Sequence, residues 1–140
     1  MITLDQAKTM ISVARDTGRK LGLKPLSVAV LDAGGHLLAF EREDGASPGR
    51  FEIARGKAYG AVMLGMPGSA QMARAEDQAY FMAAVNGAFG GKVVPVPGGV
   101  LVKDGSGAVI GAVGVTGDTS DNDAKAAMAG IEAAGLTGAA

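Results

Sequence analysis

The sequence predicts an α/β fold of the α+β kind, an antiparallel sheet built from two β-hairpins and covered by N-terminal, central and C-terminal helices. Two apolar runs each enter a glycine turn and return, at Asp32-Ala33-Gly34-Gly35 and at Asp104-Gly105-Ser106-Gly107. Segments with helical spacing stand before, between and after them. Hairpins separated by helices, rather than strands alternating strictly with helices, favour an antiparallel sheet over a parallel doubly wound one.

Each element has a local reason. Thr3 and Gln6 have capping-box spacing, and Leu4, Ala7, Ile11, Ala14, Gly18 and Leu21 then recur at steps of three and four, an amphipathic first helix. Pro25 stops further helix, Ser27 to Leu31 read as a buried strand, and His36 to Glu43 return as its partner. Strict alternation would place His36, Leu38, Phe40 and Arg42 on one face and Leu37, Ala39, Glu41 and Glu43 on the other. After the turn cluster 44–49, Phe51, Ala54, Ala58 and Val62 form the inward row of a second helix, ended by Gly65, Pro67 and Gly68. Ser69 to Phe89 is helical as one helix or two, and the prolines at 95 and 97 make Val93 to Gly99 an extended loop. Val100 to Lys103 and Ala108 to Thr116 form the second hairpin, whose likeness to the first can arise from shared turn requirements without duplication. A last helix follows, with Ser120 and Asp123 at capping spacing and Ala124, Ala127, Met128, Ile131 and Ala134 facing inward. No linker divides the chain, so one domain over residues 1–140 is expected.

Composition removes several function classes. With a formal net charge of −1 and 4% aromatic residues, neither a basic phosphate-tracking face nor a base-stacking platform stands out, and nucleic acid is not an expected partner. The apolar runs fall well short of the roughly 20 residues of a membrane span, so no membrane partner is expected either. Without a secretory succession after Met1, a cytoplasmic location is the default expectation. The chain has no cysteine, which excludes disulfides, thiolate metal sites and cysteine nucleophiles. GAVGVTG has the wrong glycine spacing for a dinucleotide fingerprint, and no GxSxG elbow is present. Asp118, Asp121 and Asp123 lack the glycine and distal glutamate of a calcium loop, helix capping accounts better for Ser120 and Asp123, and a single histidine cannot build a zinc site. No metal is expected.

Three stretches, SVAVLDAGGHLLAFEREDGA, FEIARGKAYGA and VPGGVLVKDGSGAVIGAVGVTGDTSDNDAKAAMAG, occur in that order over nearly the whole chain, which resembles the haem-binding-protein/GlcG family. The resemblance implies a profilin-like sandwich, assembly into homo-oligomers, and haem as a possible ligand in some members. The chain departs from the family pattern at Glu43, where methionine is usual, so an apolar wall or subunit contact at that point is in question.

Six regions could carry chemistry. Lys57 has Ile53, Ala61 and Leu64 as helical neighbours; it either snorkels to water or, half-buried, binds a carboxylate or acts as base or Schiff-base amine. The family's AxxKAY pattern includes it. Asp123 is the second acid/base candidate. Glu52 and Arg55 have the spacing of a surface pair, or of an arginine clamp on a ligand carboxylate oriented by the glutamate. Ile110, Ala112, Gly114 and Thr116 would share a face, which either packs a helix or carries a planar ligand with Thr116 and Gly117 at its polar edge. Gly98 and Gly99, in the loop before the second hairpin, would line the same ligand. His36 is a structural histidine beside a turn or, if haem binds, the first choice of axial ligand, ahead of Tyr59, Tyr80 and the methionines. The function expected is a homo-oligomeric protein holding haem or another planar carboxylated molecule. The alternative is a cofactor-independent isomerase, tautomerase or lyase using Lys57 or Asp123 on a small carboxylated metabolite.

Overall fold

In the computed structural model, which describes residues 1–140, Thr3 caps α1 (Leu4–Lys20) as its spacing predicts. The Gln6 N–H donates to Thr3 Oγ1 and the Thr3 N–H to Gln6 Oε1, both at 3.0 Å. Ala7, Met10, Ile11, Ala14 and Gly18 are buried, whereas Leu4 and Leu21, at the two ends of the predicted stripe, are exposed. Then come β1 (Ser27–Asp32), β2 (Leu37–Arg42), α2 (Arg50–Leu64), α3 (Gly68–Asp77) and α4 (Ala79–Ala88). The chain continues as β3 (Gly99–Lys103), β4 (Val109–Thr116), α5 (Ser120–Ala133) and β5 (Thr137–Ala139). The strands form one antiparallel sheet in the order β2-β1-β4-β3-β5.

Both predicted hairpins form, and a fifth strand joins them. β5 pairs with the outer edge of β3 through Leu101↔Ala139, Val102↔Gly138 and Lys103↔Thr137. Its three residues carry no alternation long enough to read from sequence. Ser69 to Phe89 resolves into two helices broken at Gln78, where φ −134 and ψ 65 leave the helical region. α5 is capped by Thr119, whose side chain accepts from the Asn122 N–H at 3.3 Å, and not by Ser120.

The sheet has unequal faces. On one, Val28, Val30, Val100, Val102, Val113 and Val115 meet the apolar stripes of α1 and α5 in the main core. On the other, Leu31, Leu101 and Ala112 meet Ala58 and Ala61 of α2. Two bulges correct the strict alternation expected from sequence: an irregularity at Val30/Leu31 leaves both Leu38 and Ala39 against the main core, and one at Val102/Lys103 sends Ile110 there too. Phe40 faces α2 and meets Phe51 edge-on at 4.9 Å.

Helix α2 is covered on two sides, so its buried residues (Ala54, Gly56, Lys57, Ala58, Gly60 and Ala61) do not trace a single row, and Phe51 and Val62 are only half-buried. Beneath it, a Cβ on Gly114 would run into the Ala54 carbonyl oxygen. Above it, the loop before β3 lies on Gly56, whose carbonyl accepts from the Val94 N–H at 3.2 Å. The small residues of β4 therefore receive a helix backbone, which is the packing alternative of the sequence reading.

Glu43 also finds its reason here. Its carboxylate accepts from the Leu26 N–H at 2.6 Å, from Arg15 Nε at 3.3 Å and from Arg19 Nη1 at 3.2 Å, pinning the end of β2 to α1 and to the start of β1. An acid at this position serves the monomer's own hydrogen bonding.

Because the α2 backbone sits directly on Gly114, Gly114→Val is expected to lower the unfolding free energy by about 3 kcal/mol. Urea unfolding measures it, and an unchanged midpoint would mean that α2 can lift from the strand without loss.

Candidate functional site

Arg50 and Lys57 stand seven residues apart on α2, two helical turns, so both point at the end of β4 where Thr116 lies. Lys57 is 3% exposed. Its Nζ donates to the Val115 carbonyl at 3.0 Å and to Asp123 Oδ2 at 3.1 Å. Asp123, 1% exposed, accepts the Asp118 N–H at 3.0 Å on its other oxygen, Oδ1. The two acid/base candidates are thus one buried ion pair, and Asp123 closes the 118–123 turn from within, beyond simple helix capping. Burial pushes the Lys57 pKa below its ordinary value, the Asp123 charge and hydrogen bond oppose the shift, and the nearby Arg50 charge adds to it.

Gly98 forms the wall in front of this lysine. Its φ of +110° suits glycine, and a Cβ there would lie 2.5 Å from the Val115 carbonyl oxygen and 2.9 Å from Lys57 Nζ. On the outer side of Gly98 and Gly99 is a cavity of about 200 Å³, also lined by Ser69, Pro97, Val100 and Ala124. A second depression, of about 330 Å³, shares Asp121, Ala124 and Ala140 with the first and runs along α5 past Lys125 and Met128. Together they form an apolar groove with charged groups at its rim, separated from the Lys57–Asp123 pair by glycine backbone.

The remaining candidates disperse. Thr116 is buried, and its Oγ1 accepts from Arg50 Nη1 at 2.7 Å. Gly117 lies at the far side of the same turn, with its Cβ direction closed by the Pro25 carbonyl. Glu52 is exposed and makes no ion pair with Arg55. Arg55 instead stacks over Phe51, its guanidinium carbon 5.3 Å from the ring centroid, with Nε buried and unpartnered. His36 sits on the β1–β2 turn, its side chain 81% exposed and its Nδ1 3.2 Å from Asp32 Oδ1. Asp32 pairs with Gly111 whereas Ser27 pairs with Thr116, so His36 lies about 16 Å along the sheet from the Lys57 end. Hydrogen bonds hold the Asp32 carboxyl below its usual range, first that from the His36 N–H. The Asp118 carboxyl is held at about 2 by the Asn122 side-chain amide and the Lys24 N–H. Asp118, Asp121 and Asp123 do not converge on a metal-binding cluster.

Arg50 went unnoticed among the sequence candidates. The signal that finds it is the seven-residue step to Lys57, which places both cations on the sheet-facing side of α2.

A five-stranded antiparallel sheet with helices on both faces, and a groove opening beside one end of its central strand, defines a small α/β sandwich domain. The family model of the haem-degrading HbpS-like proteins matches residues 2–132, and the chain belongs to that family. A crystal structure of HbpS is 30% identical, with a TM-score of 0.80 over 93% of this chain and 87% of that one. A double mutant of the Streptomyces reticuli HbpS is also 30% identical, with a TM-score of 0.79 over 93% of this chain and 84% of that one. A complex of PduOC with haem shares the fold at 23% identity and a TM-score of 0.84, covering 96% and 95% of the two chains. No curated protein matches the chain.

Removing one partner of the buried pair leaves the other charged in a dry site. Asp123→Leu is expected to lose about 3–5 kcal/mol, most of it recovered in the Lys57→Met/Asp123→Leu double variant. The pH dependence has a definite sign. Between the lowered folded pKa of Lys57 and the ordinary 10.5, the unfolded chain binds more protons, so stability gains a contribution that rises with pH across that window. Equilibrium unfolding of the native protein and Lys57→Met over that range measures it as the difference between the two curves.

Proposed function

We propose that the protein binds haem, or a planar carboxylated molecule like it, in the groove between the Pro97–Val100 segment and α5, and that it does so as a homo-oligomer. The observation that carries the reading is the groove itself, an apolar slot beside glycine backbone in a chain of the HbpS-like family. Pro97, Val100, Ala124 and Met128 would flank the ring, and Lys125 at the rim suits a propionate. Within the groove Met128 is the soft donor available to iron. His36, on the distant hairpin tip, would reach iron only at that tip or from a neighbouring copy. Lys57 acts from behind Gly98 by setting the local charge and holding the groove wall, and Thr116 and Gly117 shape the turn at its end.

The alternative, acid/base chemistry at Lys57 on a small carboxylated metabolite, draws support from the lowered lysine pKa. It requires Gly98 to swing aside, because the ammonium is 3% exposed and already donates two hydrogen bonds.

Self-assembly is supported by α4. The helix carries no charged residue and buries only Met82, while Tyr80 is 72% exposed.

Titration of micromolar protein with hemin should give a saturable Soret shift, and no shift would sink the reading. Filling the groove by Ala124→Trp should weaken binding at least tenfold. Retained affinity in that variant with loss in His36→Ala would move the site to the hairpin tip. Light scattering on a sizing column should give a mass above that of the 13.9 kDa chain, reduced by Tyr80→Glu; a monomer at all concentrations would end the assembly proposal.

A further inference from the structure

A separate cavity of about 180 Å³ opens on the other side of the Thr116–Asp118 turn, lined by Lys24, Pro25, Gly45, Ala46, Ser47, Arg50 and Gly117. No lining residue is acidic. The Arg50 guanidinium is held in place from two sides, Nε donating to Ser47 Oγ at 3.1 Å and Nη1 to Thr116 Oγ1 at 2.7 Å. Nη2 and the second Nη1 hydrogen have no protein acceptor, and neither Arg50 nor Lys24 belongs to any ion pair, those being made by Arg15, Arg19, His36 and Lys57. Two cations thus share one cavity: Arg50, immobilised and without a carboxylate partner, and Lys24, whose charge also feels the nearby Asp118 carboxylate. Ordering an arginine in this way removes conformational freedom that a free surface arginine keeps, which favours capture of a planar anion by its open edge.

We infer that this cavity is a binding site for a small carboxylate, an acid of roughly two to four carbons given its size. The carboxylate takes the free Nη1/Nη2 edge of Arg50 as a two-pronged acceptor, Lys24 supplies the second charge, and Pro25 and Ala46 accommodate the short carbon chain. A planar guanidinium fork and an apolar wall suit a carboxylate better than a phosphate, which would call for more N–H donors than the cavity presents. The inference is independent of the haem reading, since the two cavities share no lining residue.

The test is an amide chemical-shift titration of the full chain with pyruvate at constant ionic strength, with chloride and inorganic phosphate as comparison anions. Saturable shifts are expected at Gly45, Ala46 and Gly117, weakened about tenfold in Arg50→Gln and severalfold in Lys24→Gln. Lys24→Gln alters a side chain that bonds nothing in the fold, so it keeps the test decisive if Arg50→Gln proves unstable. Lys125→Gln, in the other groove, should change nothing. No saturation up to about 50 mM pyruvate, equal shifts with chloride, tighter binding of phosphate, or unchanged affinity in Lys24→Gln would each overturn the assignment.

Discussion

Lys57 ties together three parts of the molecule that are remote in sequence. The helix that carries it, the Val115 carbonyl near the end of β4 and the Asp123 carboxylate in the first turn of α5 meet within about 3 Å of one nitrogen. A charge taken from water at this depth is tolerated only when it is paired and hydrogen-bonded, and the Asp123 carboxylate and the Val115 carbonyl supply both from inside the fold. The second oxygen of Asp123 then fixes the Asp118 amide, so the turn between β4 and α5 is set by the same pair. The groove wall at Gly98 and the position of Arg50 over Thr116 both presuppose that α2 lies where Lys57 holds it.

The parts of the fold governed by nearest neighbours in sequence were legible. The capping box at Thr3 and Gln6, the glycine turns and the helix stop at Gly65, which adopts φ 64°, all form as local chemistry dictates. What could not be read depends on tertiary partners. The bulges in β2 and β4 move Leu38 and Ile110 to the main core because the packing there outweighs strict alternation. The three-residue β5 exists because the edge of β3 offers it a ladder. Glu43 looks misplaced beside a family methionine until the two arginines of α1 are seen to converge on it.

The candidate site divides along the same line. Lys57 and Asp123 each stood out by local context, but their union spans 66 positions and no periodicity announces it. Arg50 carries its signal in a seven-residue step, visible only once the inward side of α2 is known. Glu52 and Arg55 show the reverse: spacing permits a pair, and the adjacent Phe51 ring offers the guanidinium a better surface than the solvated carboxylate does.

The borders of the sheet have a bearing on how copies of the chain can meet. One border is β2, bent by its bulge and bearing Glu41 and Arg42 in a sheath of charge; the other is β5, three residues long. Neither offers a long, flat, apolar row of free amides and carbonyls, so continuous strand-to-strand growth between molecules finds no template at either side. Any contact between copies would then have to be made by the helical surfaces and not by the edges of the sheet.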